Sequence, residues 1–185
     1  MAGSGWVVWI TGLPGSGKSV VARALRKSLA DRSVRSQILA SDELRKYVTP
    51  HASYSEEERD VVYATLVFIA RLLSENGVNI IIDSTGNLRR YREHCRKSVT
   101  RYAEVYLQCP LEVCIRRETK RRRRFHAANR IYEKARTGKS GTVPGMGAPY
   151  EPPVSPELVL DTAAKSPSEN AREIVTKLSQ FLAGK

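Results

Sequence analysis

Gly12-Leu13-Pro14-Gly15-Ser16-Gly17-Lys18-Ser19 has the spacing GxxxxGK[ST] and lies between an apolar run, Trp6 to Ile10, and a helical pattern. That strand-loop-helix context gives the spacing its meaning. Glycines let successive backbone N–H groups turn inward around a phosphate, and the helix start adds a partial positive charge. A lysine placed like Lys18 reaches the β- and γ-phosphates of a nucleoside triphosphate, and a hydroxyl placed like Ser19 meets magnesium. Val20, next on the helix, completes the nucleotide-binding candidates, and ATP and Mg2+ are the cofactors implied.

Two carboxylates stand where a parallel sheet would turn its strand ends toward a ligand crevice. Asp42 follows the apolar run Ile38 to Ala40 and could orient or deprotonate an acceptor hydroxyl; an N-cap for a short helix starting at Glu43 would use an Asp equally well. Asp83 ends the very apolar Val78-Asn79-Ile80-Ile81-Ile82 and is the candidate magnesium-side carboxylate beside Ser19. Arg117 and Arg121, spaced i and i+4 where a lid over phosphates is expected, could neutralise charge during transfer, although a run of arginines also suits a solvated face. His51, His94 and His126 show no metal-ligand spacing.

The elements that must hold these groups are short apolar runs at Trp6–Ile10, Ile38–Ala40, Val78–Ile82, Val105–Leu107 and Leu158–Leu160, separated by helical patterns. They read as buried parallel strands joined by helical crossovers, an α/β three-layer fold with helices on both faces. The first helix should begin near Lys18; a second is announced by Ser55 and Glu58 in capping-box spacing and closed by Gly77. A last helix after Pro167 and Ser168 shows Ala171, Ile174, Val175, Leu178, Phe181 and Leu182 on one face. Residues 138–156 hold four glycines and five prolines, which predicts an irregular mobile loop over the site.

The 185 residues suffice for one domain, residues 1–185, with its own core. Cys95, Cys109 and Cys114 are odd in number and lack CxxC spacing, against a disulfide framework or zinc site and in favour of a reducing cytoplasm. The early apolar run is too short for a bilayer span, so no membrane association is expected. Lys and Arg number 31 against 19 Asp and Glu, a net charge of +12, which favours an anionic partner: a small hydroxyl substrate, or nucleic acid. Much of the excess lies at residues 116–124, and a second basic stretch runs from Arg89 to Arg101.

Four stretches resemble the adenylylsulfate kinase family: Val8 to Ser19; Glu104-Val105-Tyr106-Leu107 with Pro110 to Cys114; Ile131 to Arg136; and Pro149 to Pro153 with Pro156 to Thr162. The resemblance implies a five-stranded sheet of order 2-3-1-4-5 and ATP-dependent phosphorylation of the 3′-hydroxyl of adenylylsulfate, and it leaves a homodimer open. The chain departs from that pattern in places. Ala40-Ser41-Asp42 stands for Asp-Gly-Asp; Arg59 is retained, but the anion-gripping positions after it fall near Val62, Ala64 and Thr65; Val143-Pro144-Gly145-Met146 replaces a phenylalanine loop that supports adenine; and a basic insertion lies near 118–130. Ala40 to Arg45, and Ile82 to Leu88 with Arg92, resemble polynucleotide-kinase-type enzymes instead, which keeps an RNA-end or other hydroxyl kinase as the alternative. Together the resemblances make Asp42, Arg45, Arg59, Ser84 and Thr85 the candidate acceptor contacts.

Overall fold

The structure, a computed structural model, describes residues 4–120 and 130–183. Val7–Thr11 (β1) is buried throughout because it lies at the centre of a sheet covered on both faces. Its neighbours are Ile80–Asp83 (β3) and Tyr102–Gln108 (β4), with Gln37–Ala40 (β2) and Leu158–Asp161 (β5) at the edges, all parallel, in the order β2-β3-β1-β4-β5. The strand order implied by the resemblance is thus the one observed. Side chains alternate across the sheet. Val8, Ile10 and Ile81 pack with Leu25 of Lys18–Ala30 (α1) and Ile174 of Pro167–Lys177 (α7). On the other face, Val7, Trp9 and Ile82 pack with Leu66 of Glu56–Glu75 (α3) and Cys95 of Arg89–Ser98 (α4).

The register sets Ile10 and Ala40 beside Asp83, so the phosphate loop and the ends of β2 and β3 meet at one edge of the sheet. Ser41–Val48 (α2) starts there directly. Leu111–Thr119 (α5) and Ile131–Arg136 (α6) flank the loop from the β4 side. No helix among the described residues is long and apolar enough to cross a membrane.

Three local expectations are corrected. Ser55 does cap α3, its hydroxyl accepting from Glu58 N–H at 3.2 Å, but the Glu58 carboxylate turns to Arg45, Ser53 and Tyr54 and completes no box. The last helix divides at Leu178, whose φ of −102° leaves helical geometry, before Ser179–Ala183 (α8); its N-terminus carries a full capping box from Ser166 and Glu169. Residues 138–156, expected as a mobile loop, are tied to the body: Asn87 O accepts from Glu151 N–H at 2.8 Å, and Tyr150 OH lies 3.1 Å from Thr11 Oγ1.

Candidate active site

Gly15 takes φ +83°, and a Cβ there would lie 2.4 Å from Cys114 O, so only glycine lets the phosphate loop pass this close to α5. Gly17 at φ +103° turns the chain into α1 and aims the helix N-terminus at the loop's mouth. Tyr132 OH donates to Pro14 O at 2.8 Å and Thr162 Oγ1 to Ser16 O at 2.9 Å, bracing the loop from α6 and from the end of β5. Lys18 Nζ donates to Gly12 O and Leu13 O, both at 3.0 Å. Pro14, Gly15, Gly17, Lys18, Ser19 and Val20 face a cavity of about 540 Å³, whereas Gly12, Leu13 and Ser16 lie behind its wall and shape the loop.

Asp42, Arg45, Arg59, Ser84 and Thr85 line the same cavity, so the structure gathers the acceptor candidates beside the phosphate loop, with Asp83 also in its lining. Asp42 is not the helix cap: α2 begins at Ser41, the boundary residue is Ala40, and no side chain caps it. Asp83 accepts a hydrogen bond from Ser19. Burial raises its carboxyl above the ordinary 3.8, opposed by Lys18 and Ser19, then raised by Asp42 and lowered by Arg23. A hydroxyl and a carboxylate at the loop's mouth form a hard-oxygen pair of the kind magnesium takes when nucleotide phosphates supply the other ligands. Among the described residues there is no group of three or more His, Cys, Asp or Glu that could hold a metal alone. Ser84 is buried, and its Oγ has no hydrogen-bond partner among the described residues.

Arg117 lines the nucleotide end, its Nη2 donating to Thr162 O at 2.6 Å. Arg121, its companion in the sequence reading, lies outside the described residues, as does His126. Val62 is fully buried in the protein interior, and neither it nor Ala64 or Thr65 reaches the cavity. The cations present are Lys18, Arg45, Arg59, Arg117, Lys134 and Lys139, which line the cavity against the two carboxylates of Asp42 and Asp83. Tyr54 and Tyr63 contribute aromatic lining, and the Arg45 guanidinium lies 4.8 Å and that of Arg59 6.0 Å from the Tyr54 ring centre. Tyr54 has φ +59°, a rare conformation for a bulky residue and one that nothing in the sequence announces. Lys134 and Lys139 were missed because only the folded chain brings α6 and the following loop to this cavity.

Glu58 holds the acceptor side together from behind, bonded by Arg45, by Ser53 Oγ at 2.7 Å and by Tyr54 N–H at 3.0 Å. Burial pushes its carboxyl up, but these bonds and the Arg45 charge outweigh burial and hold it below the ordinary 4.5. A depressed carboxylate stabilises the fold above its unfolded value and loses that contribution as pH falls through its folded value. Glu58→Gln should therefore cost roughly 3 kcal/mol at neutral pH by leaving Arg45 unpaired. In urea unfolding, its deficit against wild type should narrow once pH drops below 4.5.

A phosphate loop opening a helix at the carboxyl edge of a parallel sheet, with a carboxylate beside its serine and a second polar pocket opposite, defines a P-loop phosphotransferase. The profile of the adenylylsulphate kinase family matches residues 4–161. The chain is 38% identical over 157 residues to a probable adenylyl-sulfate kinase of Archaeoglobus fulgidus, covering 85% of this chain and 96% of that protein. With one of Pyrococcus abyssi it is 33% identical over 177 residues, covering 96% and 97% respectively. The APS kinase of Mycobacterium tuberculosis, in a structure with AMPPNP and APS, superposes with a TM-score of 0.84 at 30% identity over 96% of this chain and 99% of that one. The chain belongs to the adenylylsulfate kinase family.

Proposed function

We propose that this protein transfers the γ-phosphoryl group of ATP to the 3′-hydroxyl of adenylylsulfate. The observation that carries this reading is one cavity with two unlike halves: a phosphate loop on one side, and on the other an aromatic ring flanked by two guanidinium groups beside a carboxylate. The ring suits a purine, the guanidinium groups suit a phosphosulfate, and Asp42 suits a hydroxyl.

Phosphoryl transfer asks the protein mainly for positioning and charge neutralisation. The phosphate loop holds ATP, and Lys18 exchanges its hold on Gly12 O and Leu13 O for the β- and γ-phosphates. Ser19 and Asp83 would hold magnesium, which when bound neutralises phosphate charge. Asp42 orients the acceptor hydroxyl and receives its proton while the acceptor oxygen bonds to the γ-phosphorus. The bond from that phosphorus to the bridging oxygen breaks, and ADP departs with the electron pair. Arg45 and Arg59 bind the acceptor anion, and Ser84 Oγ and Thr85 supply polar contacts beside it. Arg117 balances charge at the nucleotide end, with Arg121 as the further candidate.

The polynucleotide alternative is weakened by the surface that would serve it. In the second basic stretch Arg90 pairs with Glu56 and Asp60, and Arg96 with Glu157, while Arg89 donates to Pro152 O, so these cations do not form an open phosphate track. Turnover with a panel of adenylylsulfate, nucleosides, simple alcohols and 5′-hydroxyl oligonucleotides tests the proposal. Adenylylsulfate should give the highest kcat/KM; a higher value for oligonucleotides would reverse the assignment.

A further inference from the structure

Arg59 lines the cavity with each of its three guanidinium nitrogens already donating one hydrogen bond. Nε donates to Tyr54 O at 3.1 Å, Nη1 to Asn87 Oδ1 at 3.2 Å and Nη2 to Thr142 O at 2.6 Å. A guanidinium carries five N–H donors in a rigid plane. Three bonds to three separate segments fix that plane and leave two donors to meet an anion. The cation belongs to α3, but its aim is set from outside α3.

Asn87 joins those segments. It is buried, 2% exposed, and does not itself line the cavity. Besides accepting from Arg59, it donates through Nδ2 to Pro149 O at 3.2 Å, and its own carbonyl accepts from Glu151 N–H at 2.8 Å. The buried Arg92 clamps the same joint, donating to Gly86 O on one side and to Glu151 O at 2.6 Å on the other. Tyr150, between these anchors, meets Thr11 Oγ1, which donates to Thr85 O at 2.6 Å. The covering strap at 142–151, the loop after β3 and the entry to the phosphate loop are therefore one bonded unit, with Asn87 as its only side-chain link to Arg59 among the described residues.

We propose that Asn87 is a positioning residue for the acceptor, which sets Arg59 in register with the strap so that acceptor affinity depends on the strap lying over the site. This inference rests on the reading of Arg59 as an acceptor cation. An asparagine suits the task because it accepts and donates at once. Asn87→Asp keeps an oxygen for Arg59 but places a second oxygen against Pro149 O, whereas Asn87→Ala removes both bonds.

Steady-state kinetics with adenylylsulfate and ATP test it. Asn87→Ala should raise the KM for adenylylsulfate about tenfold, the scale of one lost hydrogen bond to a charged group, and leave the KM for ATP within about twofold. Asn87→Asp should fall between Ala and wild type. Arg59→Lys should raise the same KM, and adding Asn87→Ala to it should cause little further rise, since the two act as one unit. If Arg59→Lys weakens the acceptor but Asn87→Ala does not, Asn87 has no positioning role. A uniform fall in kcat with both KM values unchanged would mean that Asn87 only stabilises the fold, and would overturn the inference equally. An acceptor KM untouched by Arg59→Lys would refute the reading of Arg59, and the inference with it.

Discussion

Lys18→Ala should lower turnover roughly a thousandfold, the scale seen when a charge partner of a transition state is removed. The loss should fall on catalysis and not on the fold. In the structure Lys18 Nζ is satisfied by two carbonyls of its own loop, Gly12 O and Leu13 O. Lys18 itself lines the cavity, so water can enter the space its ammonium group leaves. The loop keeps its other supports, the Tyr132 bond to Pro14 O and the Thr162 bond to Ser16 O. An unchanged circular dichroism spectrum with turnover near zero is the expected pair of observations. Near wild-type ATP consumption in Lys18→Ala would remove Lys18 from the chemistry.

Asp42→Asn should lower kcat by roughly a hundredfold or more at saturating magnesium, within the range that a positioned general base contributes. Asp83→Asn should instead raise the magnesium concentration needed for half-maximal rate. The two carboxylates share one cavity but have different neighbours. Asp83 is bonded to the Ser19 hydroxyl and faces Lys18, while Asp42 stands on the first turn of α2, on the wall shared with Arg45 and Tyr54. Amide replacement keeps shape and some hydrogen bonding but removes the proton acceptor from one residue and the anionic metal ligand from the other. Magnesium titrations that coincide for both variants and wild type would abolish this division of labour.

Groups set by local chain chemistry could be read before the structure was known. The phosphate loop is one: its glycines, its lysine and the helix that follows are contiguous, and the apolar run before it can only be a buried strand. Asp83 is another, since a carboxylate at the end of Ile80-Ile81-Ile82 must emerge at the strand's carboxyl edge. What escaped depends on residues far apart in the chain. The aim of Arg59 is set by Asn87 and by Thr142, 28 and 83 positions away. Glu58 has capping-box spacing from Ser55, yet Arg45, thirteen positions back, competes for its carboxylate and wins because a buried guanidinium left alone would cost more than an unmade cap bond. The absence of anion-binding groups near Val62 was legible, but their replacements were not. Val62 is turned into the interior, and besides Lys18 and Arg59 the cations that line the cavity come from α2, α5, α6 and the loop beyond it.

In the proposed reaction the 3′-hydroxyl of adenylylsulfate accepts the γ-phosphoryl group of ATP in this cavity. The most direct measurement follows ADP release and the phosphorus spectrum together, first with adenylylsulfate and then with its 3′-deoxy analogue. With adenylylsulfate, one ADP should appear for each new 3′-phosphate monoester. The 3′-deoxy analogue should give no phosphorylated product and should inhibit competitively with adenylylsulfate, because it keeps the ring and the phosphosulfate but lacks the attacking oxygen. A phosphorylated product from the 3′-deoxy compound, or ADP formed from adenylylsulfate without a 3′-phosphate, would contradict the claim.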